Sequence, residues 1–393
     1  MNIVFYRYHS VCEPDYIDAF GKLGVSVVED TDGGAKNISV NDKMIRLGNM
    51  IADNKPLFVF SINFFPLVSL VCNRLGIMYV TESVDCPVFE IFDDSILGEY
   101  NRVFLFDKKQ KEDLDKVHSQ GIYHLPLGGA VERINSLLKD VKGYEYDISF
   151  VGSLYKEKDP FLKLDLKDQV KDRLENLINT QVDICSNGLE YIEDNLLDSD
   201  VQIIKDDAEF FYPSDRSVMP LDRYVAINDF ISPHIAFIER KQILNDLAEK
   251  KLGQVHFFTQ SDTSCLCRKI HVHSGVNTLT EMPFVFRHSK INLNITMRSI
   301  QTGIPQRIWD VLASGGFLIS NDQPEIYDYF KPGYHLETYR DLDELTEKIQ
   351  YYLEHEEERA KIAQNGYEEV LENHSVLQRV MSMIKVIMSS QTQ

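Results

Sequence analysis

The sequence is poor in tryptophan, in positive charge and in uninterrupted apolar stretches. Trp309 is the only tryptophan among 393 residues. Lys and Arg together number 41 against 61 Asp and Glu, a formal charge of −20. So acidic a chain lacks the positive surface that non-specific nucleic-acid binding requires, so a nucleic-acid partner is not expected, although a local basic pocket for a phosphate is compatible with it. No apolar run is long enough to span a bilayer. The nearest, LFVFSINFFPLVSLVCNRLG (57–76), is broken by Pro66 and polar residues, so no transmembrane segment is expected. The opening MNIVFYRYHS reads as a strand and lacks a charged stretch followed by an apolar one, so no signal peptide is expected and a cytoplasmic location is. The six cysteines are scattered, which fits reduced thiols in that compartment. There is no internal repeat and no low-complexity tract.

What is present is an apolar fraction of 44%, enough to give each of two ordinary domains a core. In the first third, short strands at Ile3–Tyr6, Val25–Val28, Leu57–Phe60, Met78–Val80, Val103–Phe106 and Ile122–Leu125 alternate with helices near 14–23, 42–53, 65–75 and 108–119. This alternation predicts an α/β domain with a parallel sheet covered on both faces. Gly128–Gly143 reads as a crossing segment. A second α/β unit starts at DISFV (147–151), and 160–250 reads as a mainly helical insertion. The expected division is 1–140, 141–375 and a last helix with its tail, 376–393. That helix carries Val376, Val380, Met383 and Ile387 at helical spacing, so it needs an apolar surface. Asp341 with Glu344, and Ser375 with Gln378, have the spacing of capping boxes.

The most informative stretch is SKINLNITMRSIQTGIPQRIWDVLASGGFLISND (289–322). Ile291, Leu293 and Ile295 alternate with Asn292 and Asn294, as in a strand. Gly303 and Pro305 open a helix, Pro305 suiting its first turn, and Gly315 ends it. A glycine-bearing helix start at a strand end is a natural anion site. Asp310 stands one turn beyond Gln306, where a carboxylate can accept hydrogen bonds from sugar hydroxyls. The bland alternative is an ordinary βαβ unit. Trp309 reads as packing that helix onto its sheet.

These residues resemble the group-1-type glycosyltransferases, and more closely their CgeB-like (spore-maturation type) branch. The resemblance rests on FVGSLYKEKDPF (150–161), the stretch 291–330 and the tail 339–371 to His374, with a looser match at 60–87, 103–110 and 124–131. It implies the GT-B fold, two Rossmann-like domains, the second holding a nucleotide-sugar donor and the first facing the acceptor. It implies a final helix returning to the first domain. It also implies catalysis without a bound metal or cofactor. Asp310 aligns with the family glutamate that holds the ribose. Thr302 stands where many retaining members carry a glutamate, which leaves the stereochemical outcome open.

Ligands of open α/β sheets bind beyond the carboxyl ends of the strands. In the second domain this selects Gly152 and Ser153, with Lys156 or Lys158 for charge. At the helix entrance it selects Arg298, Thr302, Gly303 and Ile304. Arg298, with its planar fork, is assigned to the diphosphate. Arg307 is a further cation, with a surface ion pair as its alternative. In the first domain the rule selects Tyr8, His9, Ser61, Asn63, Glu82, Asp85 and Asp107. Asp85 is the expected base for the acceptor and His9 the next, against a turn aspartate and a surface ring as alternatives. In CLCRKIHVH (265–273), Cys265 with Cys267 and His271 with His273 could each share a strand face, all zinc-ligand types. The spacing is not that of a zinc motif, so no metal is assigned, and His273 is read instead as projecting toward the donor. The expected function is transfer of a sugar from a nucleoside-diphosphate donor to a glycan, protein or small-molecule acceptor. A nucleotide-sugar epimerase of the same fold and a non-catalytic nucleotide-sugar-binding protein are the alternatives.

Overall fold

A computed structural model of the chain describes residues 1–184 and 188–390; Cys185 and the last three residues of the expected tail lie outside them. The chain forms two compact units. The first comprises 1–130, 214–219 and the C-terminal segment from Asn373; the second comprises 131–213 and 220–372.

In the first unit the elements are β1 (Asn2–Tyr6), α1 (Glu13–Lys22), β2 (Ser26–Asp30), α2 (Val40–Asn54), β3 (Phe58–Ile62), α3 (Pro66–Leu75), β4 (Met78–Ser83), β5 (Asn101–Leu105), α4 (Lys108–Asp115) and β6 (Ile122–His124). The second unit holds α5 (Val131–Leu138), β7 (Tyr146–Val151), α6 (Asp168–Asp183), α7 (Glu190–Asn195), α8 (Asp198–Asp207), α9 (Asp222–Val225) and α10 (Ser232–Lys250). It continues with β8 (Val255–Thr259), β9 (His271–Ser274), α11 (Met282–His288), β10 (Ser289–Asn294), α12 (Gln306–Ala313), β11 (Leu318–Asn321), α13 (Ile326–Tyr329), β12 (Glu337–Tyr339), α14 (Leu342–Glu354) and α15 (Glu356–Asn373). The last helix, α16 (Val376–Ser390), belongs to the first unit.

Each unit is built on a six-stranded parallel sheet. The orders are β2-β1-β3-β4-β5-β6 and β12-β11-β10-β7-β8-β9. The second is the Rossmann order, in which the winding reverses between β7 and β10; in the first it reverses between β1 and β3. Central parallel strands are covered on both faces, so they read as apolar runs rather than alternating ones. Ile3 to Tyr6 and Phe58 to Phe60 accordingly are all buried.

Strand β10 shows what this does to an apparently alternating sequence. Asn292 and Asn294 do not form a wet face; both are buried. Asn292 accepts from Ser149 and donates to the carbonyls of Phe286 and Phe317, and Asn294 donates to Thr296 and Ser320. Their amides replace the water an alternating edge strand would use.

Local signals behave as physical chemistry requires at the helix ends. Gly315 ends α12 at φ +66°, where a side chain would be strained. Pro305 is the residue before the first turn, in extended conformation, rather than part of that turn. Ser375 and Gln378 exchange both capping hydrogen bonds at the start of α16. Val376, Val380, Met383 and Ile387 of that helix are buried with Tyr16, Ala19 and Phe20 of α1 in the first unit's core. Gly128–Gly143 contains α5, which packs within the second unit. Among the described residues no helix is long and apolar enough to cross a membrane.

Candidate functional site

In the second unit, the carboxyl ends of β7, β8 and β9 open on a cavity of about 320 Å³. Gly152 and Ser153 follow β7, Gln260 and Ser261 follow β8, and Gly275 follows β9; Glu157, Lys158, Met282 and Arg307 are also among the lining residues. A Cβ on Gly152 would meet only the Phe150 ring at 3.7 Å. The glycine therefore keeps the floor open and serves no packing need. Ser153 stitches the turn: its hydroxyl accepts from the Tyr155 amide and donates to Glu157, while Ser261 also donates to Glu157. Tyr155 is held at φ +71°, a costly conformation for a tyrosine.

One buried arginine fixes this turn, and nothing in the sequence marks it. Arg240 of α10 donates from Nη1 to the Ser153 carbonyl and from Nη2 to the Ile295 carbonyl, both at 2.7 Å. It thereby ties the ends of β7 and β10 together across the point where the winding reverses. Its guanidinium stacks on Phe150 and Tyr155.

The two arginines read from the sequence exchange places. Arg298 lies outside this cavity and is buried; its Nε and Nη2 pair with Glu239, and Nη2 also donates to the carbonyls of Val182 and Ile184. Its charge is already matched. Arg307 lines the Gly152 cavity, stacks on Phe286, reaches the Met282 sulfur and forms no ion pair among the described residues. Burial pulls its pKa below the ordinary value, with Asp310 opposing, yet an arginine stays charged. A half-buried guanidinium that forms no ion pair among the described residues favours an incoming anion.

The helix entrance is less open than the sequence implies. Ile304 is core, Gly303 is buried, and the Ile304 carbonyl accepts from the indole of fully buried Trp309. Thr302 donates to the buried carboxylate of Glu325 at 2.8 Å. A carboxylate from the far side of β11 is thus held at the loop before α12, next to the residue where the family resemblance looks for one. Asp310 is buried and accepts from Gln306.

His273 sits on the edge strand β9, flat against Phe258 at 4.3 Å and hydrogen-bonded to His256 at 3.0 Å. Burial, then the neighbouring histidine charges, push His256 down to about 4. Cys265 and Cys267 are not on a strand; they lie in turns before β9 and pack on the apolar core. Among the described residues no three His, Cys, Asp or Glu side chains are grouped to hold a metal ion.

The first unit gathers a polar cluster where its own winding reverses. His9, after β1, and Asn63, after β3, are non-glycine residues at φ +67° and +57°. Asn63 is the hub: its amide donates to Asp85 at 2.7 Å and to Tyr8 at 3.0 Å, and its oxygen accepts from the Val84 amide. Asp85 and His9 are exposed. The other strand-end residues serve the fold: Ser61, Glu82 and Asp107 are buried, and Asp107 caps α4.

Residues 240–385 match the family described as glycosyl transferase-like. No curated protein matches the chain in sequence. Among solved structures, the chain is similar to sucrose-phosphate synthase from Thermosynechococcus elongatus, with a TM-score of 0.57 at 10% identity over 100% of this chain and 99% of that one. It is similar to a glycosyltransferase from Rickettsia africae ESF-5, with a TM-score of 0.53 at 10% identity over 98% and 97%. It is also similar to HepE from Anabaena, solved in complex with UDP-glucose, with a TM-score of 0.50 at 8% identity over 99% and 100%. At these identities the likeness is one of fold: two Rossmann-like α/β units on parallel sheets, the GT-B class.

Proposed function

We propose that the protein is a glycosyltransferase that takes a sugar from a nucleoside-diphosphate-sugar and passes it to a glycan, protein or small-molecule acceptor. The observation that carries this reading is Arg307, a guanidinium with no ion pair among the described residues, lining the cavity beside the Gly152 turn. Arg307 and Lys158 supply the positive charge on which a diphosphate leaving group settles, preorganised so that it costs little reorganisation during reaction. The reading therefore needs no metal. Asp310 serves the ribose hydroxyls. HepE, of like fold, holds UDP-glucose, which supports a nucleotide-sugar donor. The finer CgeB-like assignment rests on the motifs at 150–161 and 291–330.

Asp85 is the proposed base for the acceptor hydroxyl. It is exposed, and Asn63 orients it through one carboxylate oxygen, leaving the other for the substrate. His9 is the second choice.

The test is a thermal-shift screen against a panel of nucleoside-diphosphate-sugars, followed by product analysis. One donor is expected to raise the unfolding temperature, since a ligand that binds only the folded state stabilises it. Nucleoside diphosphate should then accumulate on adding acceptor, and the anomer of the product reports the stereochemistry. No stabilisation by any nucleotide sugar would overturn the reading. Asp85→Asn should keep donor binding and lose transfer; wild-type turnover in that variant would remove Asp85 from the mechanism.

A further inference from the structure

The carboxyl ends of β10, β11 and β12 open on a second cavity, of about 180 Å³. It lies in the other half of the second unit's sheet from Gly152 and shares no lining residue with that cavity. At roughly 30 Å³ per water in the liquid, it has room for about six waters, or one small organic molecule.

Its walls are unusual in what they leave unmade. Arg298 and Tyr339 both line it and both are more than nine-tenths buried. Arg298 uses Nε and Nη2 for Glu239 and two backbone carbonyls, while its Nη1 is buried with no hydrogen-bond partner among the described residues. The Tyr339 hydroxyl is likewise buried without a partner among the described residues. Orphaned polar groups of this kind each carry a desolvation cost, and two on one cavity call for an explanation. At the rim the Arg340 guanidinium is exposed and forms no ion pair among the described residues, while one carboxylate oxygen of Asp341 accepts from the amide of Glu344. Val182, Ile184, Ile243, Ile295 and Leu342 give the cavity an apolar side; Gln242, Thr296 and Asn321 also line it, as does Glu239, whose carboxylate is paired with Arg298.

We propose that this cavity is a binding site for a small carboxylate with an apolar body. The carboxylate accepts from Arg298 Nη1 and the Tyr339 hydroxyl, with Arg340 balancing its charge, and the body lies on Ile243, Ile295 and Leu342. Arg298 is neutralised by Glu239, so a doubly charged phosphate would be poorly matched. The site is independent of the donor reading above.

The probe is sodium benzoate, compared with acetate and inorganic phosphate, by calorimetry and by crystal soaking of the full chain. Benzoate is expected to bind more tightly than either, with its carboxylate on Arg298 and Tyr339. Tyr339→Phe removes an unpaired hydroxyl, so it should fold, and it should weaken benzoate about 10-fold. Ile243→Phe, which fills the cavity from its apolar side, should abolish binding. Ordered waters alone in the soaked cavity, phosphate binding as well as benzoate, or unchanged affinity in Tyr339→Phe would each overturn the proposal.

Discussion

Replacing Glu82 by glutamine isolates one buried proton. Glu82, next to last in β4, has its side chain fully buried, and among the described residues neither carboxyl oxygen has a partner in hydrogen-bonding geometry. Burial pushes its pKa from 4.5 up to about 8, and the nearby Tyr16 hydroxyl and the Arg379 charge oppose this less strongly. Between those two values the folded protein keeps a proton that the unfolded chain releases. The native state binds more protons there, so stability is fullest below pH 4.5 and falls as pH rises toward 8. The slope approaches about 1.4 kcal/mol per pH unit, so about 2.5 kcal/mol should vanish between pH 5 and pH 7. Glutamine has nearly the same shape and no proton to lose. In urea unfolding followed through the first unit, the stability of Glu82→Gln minus that of wild type should therefore rise by about 2–3 kcal/mol from pH 5 to pH 7, without a change in m. A difference that stays constant with pH would show that Glu82 titrates normally, and would refute the argument from burial.

Other outcomes follow from single contacts. Arg307→Ala should weaken the nucleoside diphosphate about 10- to 100-fold by calorimetry, the size of a charge-assisted hydrogen bond, with Arg307→Lys intermediate; equal binding would move the anion site elsewhere. Trp309, fully buried against Phe330 at 5.2 Å, should fluoresce at short wavelength, and Trp309→Ala should cost about 3–5 kcal/mol in urea unfolding. Gly366→Ala should destabilise the second unit despite alanine's better helix propensity, because the new Cβ would stand 2.2 Å from the His335 carbonyl; a net loss of about 1–2 kcal/mol is expected, and a gain in unfolding temperature would contradict the packing.

Much of the architecture was written in local patterns. Ile3–Tyr6 and DISFV at 147–151 are strands because short β-branched and aromatic runs between turn residues have few other options. The apolar stripe of α16 and its Ser375–Gln378 cap mark that helix equally well. The alternation at 291–295 marked strand β10, but burial of Asn292 and Asn294 on its other face depends on neighbours that a local pattern does not show. Local pattern failed at Cys265 and Cys267, where a turn stands in place of the expected strand. The strand-end rule selects Gly152, Asn63 and Asp85, and the structure places each after the carboxyl end of a parallel strand.

The α/β class and its parallel sheets could be read from the chain alone, since these depend on periodicity and turn chemistry; that 214–219 joins the first unit could not. Only the tertiary structure decided which charges are free. Arg298 and Arg307 are alike in a sequence, but Glu239, 59 positions from Arg298, pairs with one, and among the described residues no ion pair holds the other. Arg240 has no local signature, yet it binds two strand ends. Ion pairing and desolvation are set by partners distant in the chain, and no local pattern carries that information.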